Sequence, residues 1–321
     1  MLRRLLGYKL TKSLWGNPKF LGRKKKMVAK LIKGNEIAQQ IREELKREAA
    51  QFREKYNLLP TMVTIVVGEN PASLSYLIAK HKICKELGFS LFQDIQSETV
   101  TELQLLKLID KYNTDSKIHG VLVQLPLPEH VKETNILYAI DPQKDVDGFH
   151  PANVGKLVIG EADYLPCTAA GIQQLLIRSG IKIDGADVVV VGRSNLVGKS
   201  IANILLQKQR GANATVTICH SGTRDIAFHT RRADILIVAE GRPKAITADM
   251  VKEGVVVIDA GFNWIGMTPE GKAKLCGDVD FDAVKEKASA ITPVPGGVGP
   301  MTVTMLMMNT IKAAKIAAGL Q

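Results

Sequence analysis

The sequence predicts an α/β protein of two domains, each built on a mostly parallel sheet covered by helices. Size is the first observation: 321 residues, 45% of them hydrophobic, fill two cores of ordinary size more readily than one. The second is an alternation of helix-period and strand-like runs along most of the chain, the pattern of a parallel sheet with helices on its faces. The third is a glycine turn between the four-valine run Val188–Val191 and a helix, where a second sheet opens.

The alternation begins at Gly34. Glu36–Tyr56 carries Ile37, Ile41 and Leu45 at helical spacing, and Thr61–Val67 follows as a short apolar, β-branched run. Next come a helix near Ser73–Leu87, a strand at Ser90–Asp94, a helix at Glu102–Tyr112 and a strand at Gly120–Leu125 that stops against Pro126 and Pro128. Asp141–Gly155 reads as a loop. Beyond it Thr168–Ser179 is helical, and Asp187–Val191, Ala214–Cys219, Ile235–Ala239 and Val255–Asp259 are strands of the second sheet. The closing helix, Thr302–Ala318, sets Val303, Leu306, Met307, Thr310, Ile311 and Ala314 on one face and packs back on the first domain. This gives a first domain of residues 27–150 plus 296–321 and a second of 151–295, behind a basic extension, 1–26.

The formal net charge of +11 resembles a nucleic-acid signal until it is localised. Residues 1–33 hold 11 of the 43 Lys and Arg and no acidic residue, so the remaining 32 basic residues balance 32 acidic ones. A neutral body lacks the field that steers nucleic acid, and no apolar run reaches the 18 residues of a membrane span. The expected partners are small molecules, with no nucleic acid and no membrane. Cys84, Cys167, Cys219 and Cys276 are widely spaced, without a C-x-x-C pair or a histidine at ligand spacing, which points to a reducing compartment and to no metal.

Three readings fit the head, MLRRLLGYKLTKSLWGNPKFLGRKKK. It is an organelle transit peptide, a solvated basic tail, or translated sequence ahead of a true start at Met27. The expected location is cytoplasmic, or mitochondrial under the first reading.

In the second domain, Val188–Ser200 reads as a buried strand, a turn with Gly192, Arg193, Ser194 and Gly198, and a helix beginning near Asn195 or Leu196. Such a helix start offers free N–H groups and a positive dipole end to a pyrophosphate. Ser194 occupies the middle of the glycine pattern, and a turn of this kind also serves strand-to-helix geometry alone. The end of the next strand carries Cys219, His220, Ser221 and Thr223 where an NAD site usually places a carboxylate, and Arg193 can pair with a 2′-phosphate. NADP is therefore favoured over NAD, with Arg224 as a possible assistant or a solvated charge.

In the first domain, Tyr76 and Lys80 stand four apart on one helical face with Ile83 and Leu87, while Leu74, Leu77, Ile78 and Cys84 form another apolar stripe. A helix apolar on both sides is buried, so Lys80 is expected to lose proton affinity and to suit proton transfer; the alternative is a lysine that snorkels to solvent. Three further segments end or follow strands: Gly120–Pro128, Lys144–Pro151 and Thr292–Thr302. Gln124 can offer its amide to Lys80, and Asp147 can accept from a donor-rich heterocycle. Asp145 and Asp147 also suit a plain turn, and Pro293–Pro300 a rigid connector.

Together VGENPASLSY-x-x-x-K, GVLVQLPLP, KDVDGFHPANVGKL, PCTAAGI, VVVGRSNLVGKS, CHS-x-T and TPVPGGVGPMT closely resemble the bifunctional methylenetetrahydrofolate dehydrogenase/cyclohydrolase family, over essentially all of residues 28–318. The resemblance implies a catalytic α/β domain and a Rossmann-like NADP-binding domain with a cleft between them. It implies oxidation of methylenetetrahydrofolate with NADP, hydrolysis of the methenyl product to 10-formyltetrahydrofolate, and a homodimer formed through the cofactor domain. Lys80 matches the catalytic lysine, beside Tyr76 and tuned by Gln124. Asp147 matches the pterin anchor, with the wall at Pro295, Gly296 and Gly297, and Arg193 and Ser221 match the holders of the NADP 2′-phosphate. The rest of the expected cofactor site is Gly192, Ser194, Val197, Gly198, His220 and Thr223.

Three positions depart from that pattern: Ser200 stands for a proline, Glu240 for a small or apolar residue, and Gln207–Asn213 is longer than usual. Glu240 is expected to disfavour an anionic cofactor. A two-domain NADP dehydrogenase of a small polar acid, a monofunctional dehydrogenase and a non-catalytic binding homologue are the competing readings.

Overall fold

The computed structural model describes residues 29–267 and 273–320, without the side chains of 71–76 and 273. The basic head 1–26 and the side chain of Tyr76 lie outside the described residues. The elements in chain order are β1 (Lys30–Leu31), α1 (Gly34–Tyr56), β2 (Thr61–Val67), α2 (Pro71–Leu87), β3 (Ser90–Gln96), α3 (Glu102–Thr114), β4 (Gly120–Val123), α4 (Glu133–Tyr138), α5 (Pro151–Ile159) and α6 (Cys167–Arg178). The second half continues with β5 (Asp187–Val191), α7 (Gly198–Leu205), β6 (Thr215–Cys219), α8 (Ile226–Thr230), β7 (Ile235–Val238), β8 (Val256–Asp259), β9 (Asn263–Met267), β10 (Ala273–Cys276), α9 (Phe281–Val284), β11 (Ala290–Ile291) and α10 (Val298–Ala317).

Two parallel sheets result, as the alternation of helix and strand requires. One has the order β3-β2-β4 and the other β1-β11-β8-β7-β5-β6, while β9 and β10 form an antiparallel hairpin. β2 is buried at all seven residues because both its faces are covered, which is why Thr61–Val67 reads as a continuous apolar run rather than an alternating one. Lys30–Leu31 pairs with Ala290–Ile291 at the edge of the larger sheet. Because the ladders are parallel, the loops after β2 and β4 open at one end of their sheet, and those after β5, β6, β7, β8 and β11 at one end of theirs. Ligand crevices of open α/β sheets form there.

α10 packs against α6, α1, α2, β2 and β4, so it fastens the C-terminal segment to the first sheet. Its buried residues include Met301, Thr304, Met305, Met307, Thr310, Ile311 and Ala314, which cover the helix almost all round rather than one face. A helix enclosed on all sides is hydrophobic on all sides. Truncating the buried Leu306 to alanine there costs about 2–5 kcal/mol.

Other local expectations are corrected. α7 starts at Gly198, three residues after Asn195, because Ser194–Val197 closes a turn first: Ser194 Oγ accepts from the Val197 N–H at 3.2 Å. Asp141–Gly155 is not all loop. His150 caps α5 by accepting from the Ala152 N–H, and Pro151 occupies the first turn, where a missing N–H costs nothing. On α2, Ile78 is 70% exposed, so the second stripe is not closed and that side of the helix meets solvent. No helix among the described residues is long and apolar enough to cross a membrane.

Candidate active site

Lys80 lies on the inner face of α2 with 6% of its surface exposed. Its Nζ donates to Gln124 Oε1 at 2.7 Å, and Gln124 Nε2 donates to the Leu125 carbonyl at 2.8 Å. Gln124 is aimed there by the sheet: its own N–H donates to Ile65 O at 2.9 Å, extending the β2–β4 ladder one residue past β4. Burial pushes the Lys80 ammonium down to about 8, against the opposing pull of Asp147 and, more weakly, of Cys167 and Cys84. Burial in turn pushes the Asp147 carboxyl up to about 6, opposed by Lys80. Cys84 is pushed up to about 12 and Cys167 well above its ordinary value, so both thiols stay protonated and are not nucleophiles.

The two aspartates of KDVDG have different tasks. Asp145 is the turn former, accepting from the N–H groups of Gly148 and His150 and from Asn153 Nδ2 at 2.8–3.1 Å. Asp147 is left to face Lys80. Its loop is fixed by Asn309 on α10, whose Nδ2 donates to Val146 O at 2.8 Å and Leu165 O at 3.0 Å. Gly148, at φ 76°, lies so near Leu165 and Pro166 that a Cβ there would meet the Pro166 nitrogen at 2.9 Å.

The wall formed by Pro295, Gly296 and Gly297 is tied to the start of α1. The Asn35 N–H donates to Gly296 O at 3.2 Å, and a Cβ on Gly34 would stand 1.7 Å from Gly297 O. Pro295 is exposed and Gly297 buried.

The turn after β5 has the shape of a phosphate cradle. Gly192 has φ 121°, and a Cβ on it would stand 2.1 Å from Ala239 O; a Cβ on Gly198 would stand 2.1 Å from Gly192 O. Only glycine lets three backbone segments approach so closely ahead of a helix start, leaving Arg193 and Ser194 exposed over it and Val197 half-buried. Ser200 Oγ donates to Asn195 O at 2.6 Å inside the same turn, a bond proline could not make. Past β6, the Thr223 hydroxyl accepts from the His220 N–H at 2.9 Å and His220 Nδ1 accepts from the Gly222 N–H at 3.1 Å. Those two side chains shape the loop and leave Ser221 exposed. Val191 and Cys219 are paired, so Arg193 and Ser221 each follow them by two residues at one crevice. The residues present therefore fit a dinucleotide. Glu240 is not a free charge beside it: Oε1 pairs with Arg242 Nη2 at 2.5 Å.

Models of two domains match this chain: the catalytic domain of tetrahydrofolate dehydrogenase/cyclohydrolase over residues 32–147 and its NAD(P)-binding domain over 166–318. The chain belongs to the tetrahydrofolate dehydrogenase/cyclohydrolase family. Among similar family members, the bifunctional protein FolD of Syntrophus aciditrophicus is 69% identical over 294 residues, spanning 92% of this chain and 100% of that protein. FolD of Syntrophobacter fumaroxidans is 61% identical across 90% of this chain and 98% of its own length. Solved structures agree. The Campylobacter jejuni FolD methylenetetrahydrofolate dehydrogenase/cyclohydrolase superposes with a TM-score of 0.84 at 46% identity, covering 90% of this chain and 99% of that one. The Trypanosoma brucei enzyme, solved with NADP cofactor and an inhibitor, gives 0.85 at 37% identity over 90% and 98%.

Several buried polar residues of this family member escaped the sequence reading. Asn309 sits among methionines, and its polarity on a buried face was the available signal. Asp259, 3% exposed, ends a strand that the sequence predicts, and Asp278, 0% exposed, carries no signal in the sequence. Cys167 stood in a motif that was read, yet its contact with the Val146 carbonyl at 3.4 Å needed the fold.

Proposed function

We propose that the chain oxidises 5,10-methylenetetrahydrofolate to 5,10-methenyltetrahydrofolate with NADP and hydrolyses that product to 10-formyltetrahydrofolate in the same cleft. The observation that carries this is the buried Lys80 bonded to Gln124 and facing Asp147. NADP, held by the Gly192–Gly198 turn with Arg193 and Ser221 at its 2′-phosphate, supplies the hydride acceptor. His220, Thr223, Ser194 and Val197 complete that site.

The chain's own groups act on folate and on protons. Asp147 accepts from the pterin's donor edge and fixes the substrate so that both steps share one geometry. The wall at Pro295, Gly296 and Gly297 closes one side, and the family resemblance assigns Tyr76 to the substrate as well. Loss of hydride leaves a cationic methenyl carbon that water attacks. Lys80, with a proton it gives up near pH 8, takes the water's proton and returns one to the departing ring nitrogen as the ring opens. Gln124 holds Nζ on line for both transfers.

In the same reading, residues 27–150 with 296–321 form the folate domain and 151–295 the cofactor domain, except that Lys30–Leu31 belongs to the edge of the cofactor sheet. The protein is a homodimer of cofactor domains. β6 supports this, since it stands at the edge of the larger sheet with one backbone edge unpaired among the described residues and Ile218 40% exposed. A cytoplasmic location accords with four free cysteines.

The test follows NADPH and methenyl absorbance together on the purified chain with methylenetetrahydrofolate, for wild type and Lys80→Met. NADPH formation without methenyl build-up in wild type, and methenyl build-up or full loss in the variant, is the expected result. No reduction of NADP or NAD would sink the reading.

A further inference from the structure

Two carboxylates at the C-terminal edge of the larger sheet take no part in the chemistry above. Asp259 ends β8 and Asp278 follows β10, and both are buried. Asp278 Oδ2 accepts from the N–H groups of Glu240 at 2.7 Å and Gly241 at 2.8 Å, and Oδ1 accepts from Asn263 Nδ2 at 2.7 Å. Asp259 Oδ1 accepts from the N–H groups of Gly261 at 2.9 Å and Asp278 at 3.0 Å, and Oδ2 from that of Val279 at 3.0 Å. The Asp259 N–H donates to Thr292 Oγ1 at 2.8 Å.

The approach needs glycine on both sides. A Cβ on Gly261 would stand 2.4 Å from Asp278 Cγ, and one on Gly277 1.9 Å from Asp259 Oδ2. This ladder joins the loops that follow β7, β8 and β11, whose first residues extend the sheet by one bond each, as the Ala239 N–H does to Val191 O at 2.7 Å, while Glu240 and Gly241 beyond it are held by Asp278. One of these joints touches the cofactor turn: Ala239, immediately before the two N–H groups gripped by Asp278, presents the carbonyl on which Gly192 rests.

We propose that Asp278 is a positioning residue for the dehydrogenase step alone, fixing the Ala239–Gly241 backbone under the Gly192 turn. The inference rests on the reading of that turn as the cofactor site. Only a carboxylate meets the geometry, because it offers acceptors at both oxygens. An asparagine presents N–H groups at one of them, so the Glu240–Gly241 pair keeps its acceptor only if the Asn263 amide turns over and gives up its own donation to position 278 and to the Cys276 carbonyl. The loop then shifts and the glycine turn loses its floor, while Lys80, Gln124 and Asp147, which lie on other elements, keep their places. Thr292 stays tied to Asp259 in either case, so the wall on the folate side is preserved.

A bifunctional chain carries its own control, since hydrolysis of methenyltetrahydrofolate uses no cofactor. The experiment measures both activities on Asp278→Asn, Asn263→Ala, Gly192→Ala and wild type, with NADP titrated in the dehydrogenase assay. For Asp278→Asn we expect KM for NADP to rise roughly ten- to hundredfold, the size set by an orphaned buried donor, while hydrolysis stays within about twofold. Asn263→Ala, which removes only the donor orienting Oδ1, shifts KM in the same direction by a smaller factor and serves if Asp278→Asn does not fold. An unchanged KM for NADP in the folded variants, or an equal fall in both activities, overturns the proposal. Gly192→Ala separates the premise: if it leaves KM for NADP unaltered, the cofactor reading of the turn fails, whereas a raised KM there with none in the other two defeats only the role of Asp278.

Discussion

Lys80 Nζ and Gln124 Oε1 stand 2.7 Å apart although 44 residues separate them in the chain. The amide cannot turn away, because its Nε2 is engaged by the Leu125 carbonyl. A buried amine thus has a fixed acceptor that carries no charge. Such a partner leaves burial free to lower the proton affinity, which a carboxylate at the same place would restore.

Hydrolysis of methenyltetrahydrofolate, measured as kcat at saturating substrate, is expected to rise with pH through about 8, where Lys80 sheds its proton. The negative charge of Asp147 holds that proton on, so Asp147→Asn moves the midpoint to lower pH. A limb that stays in place, or moves to higher pH, would show that Lys80 is not the titrating group.

Lys80→Met is expected to lower hydrolysis by about 10²- to 10⁴-fold, the usual worth of a positioned acid–base group. The same variant changes stability against pH. Between the folded value near 8 and an unfolded value of about 10.4, the unfolded chain keeps a proton that the native one has lost, so native stability rises with pH over that window, by about 3 kcal/mol. Denaturant midpoints at pH 7.5 and 10 should show a smaller rise in the variant than in wild type. An equal rise in both would mean that Lys80 is not held in its buried place.

Asn309→Leu removes the clamp on Val146 and Leu165 and leaves one buried and one part-buried carbonyl without that donor. Urea unfolding should show a loss of about 1–3 kcal/mol. KM for the folate substrate should rise as the Asp147 loop loosens, with KM for NADP unaffected. A stability loss without any change in substrate KM would make Asn309 a packing residue only.

Arg193→Ala should raise KM for NADP by roughly tenfold and leave KM for NAD nearly unaltered, because the guanidinium is assigned to the 2′-phosphate. Steady-state kinetics with each cofactor decides it. A parallel loss with both would place Arg193 at the pyrophosphate instead.

What the sequence by itself determined was local. Val188–Gly198 is a strand, a turn and a helix start whose apolar run and glycines lie within one short stretch, and α2 brings Lys80 to a buried face through its own periodicity. Boundaries set by capping were less legible: the helix at Pro151 was hidden because Asp145, Gly148 and His150 look like loop residues until the bonds to Asp145 fold them into a turn. Tertiary structure alone decided which of Asp145 and Asp147 faces Lys80. It also seated Asn309 against a loop 163 residues away and gathered three loops around Asp259 and Asp278. The physical reason is that propensity and periodicity act between neighbours in the chain. A buried polar group instead takes its partners from whatever backbone the packed helices and sheets bring beside it, and only the closed fold defines that set.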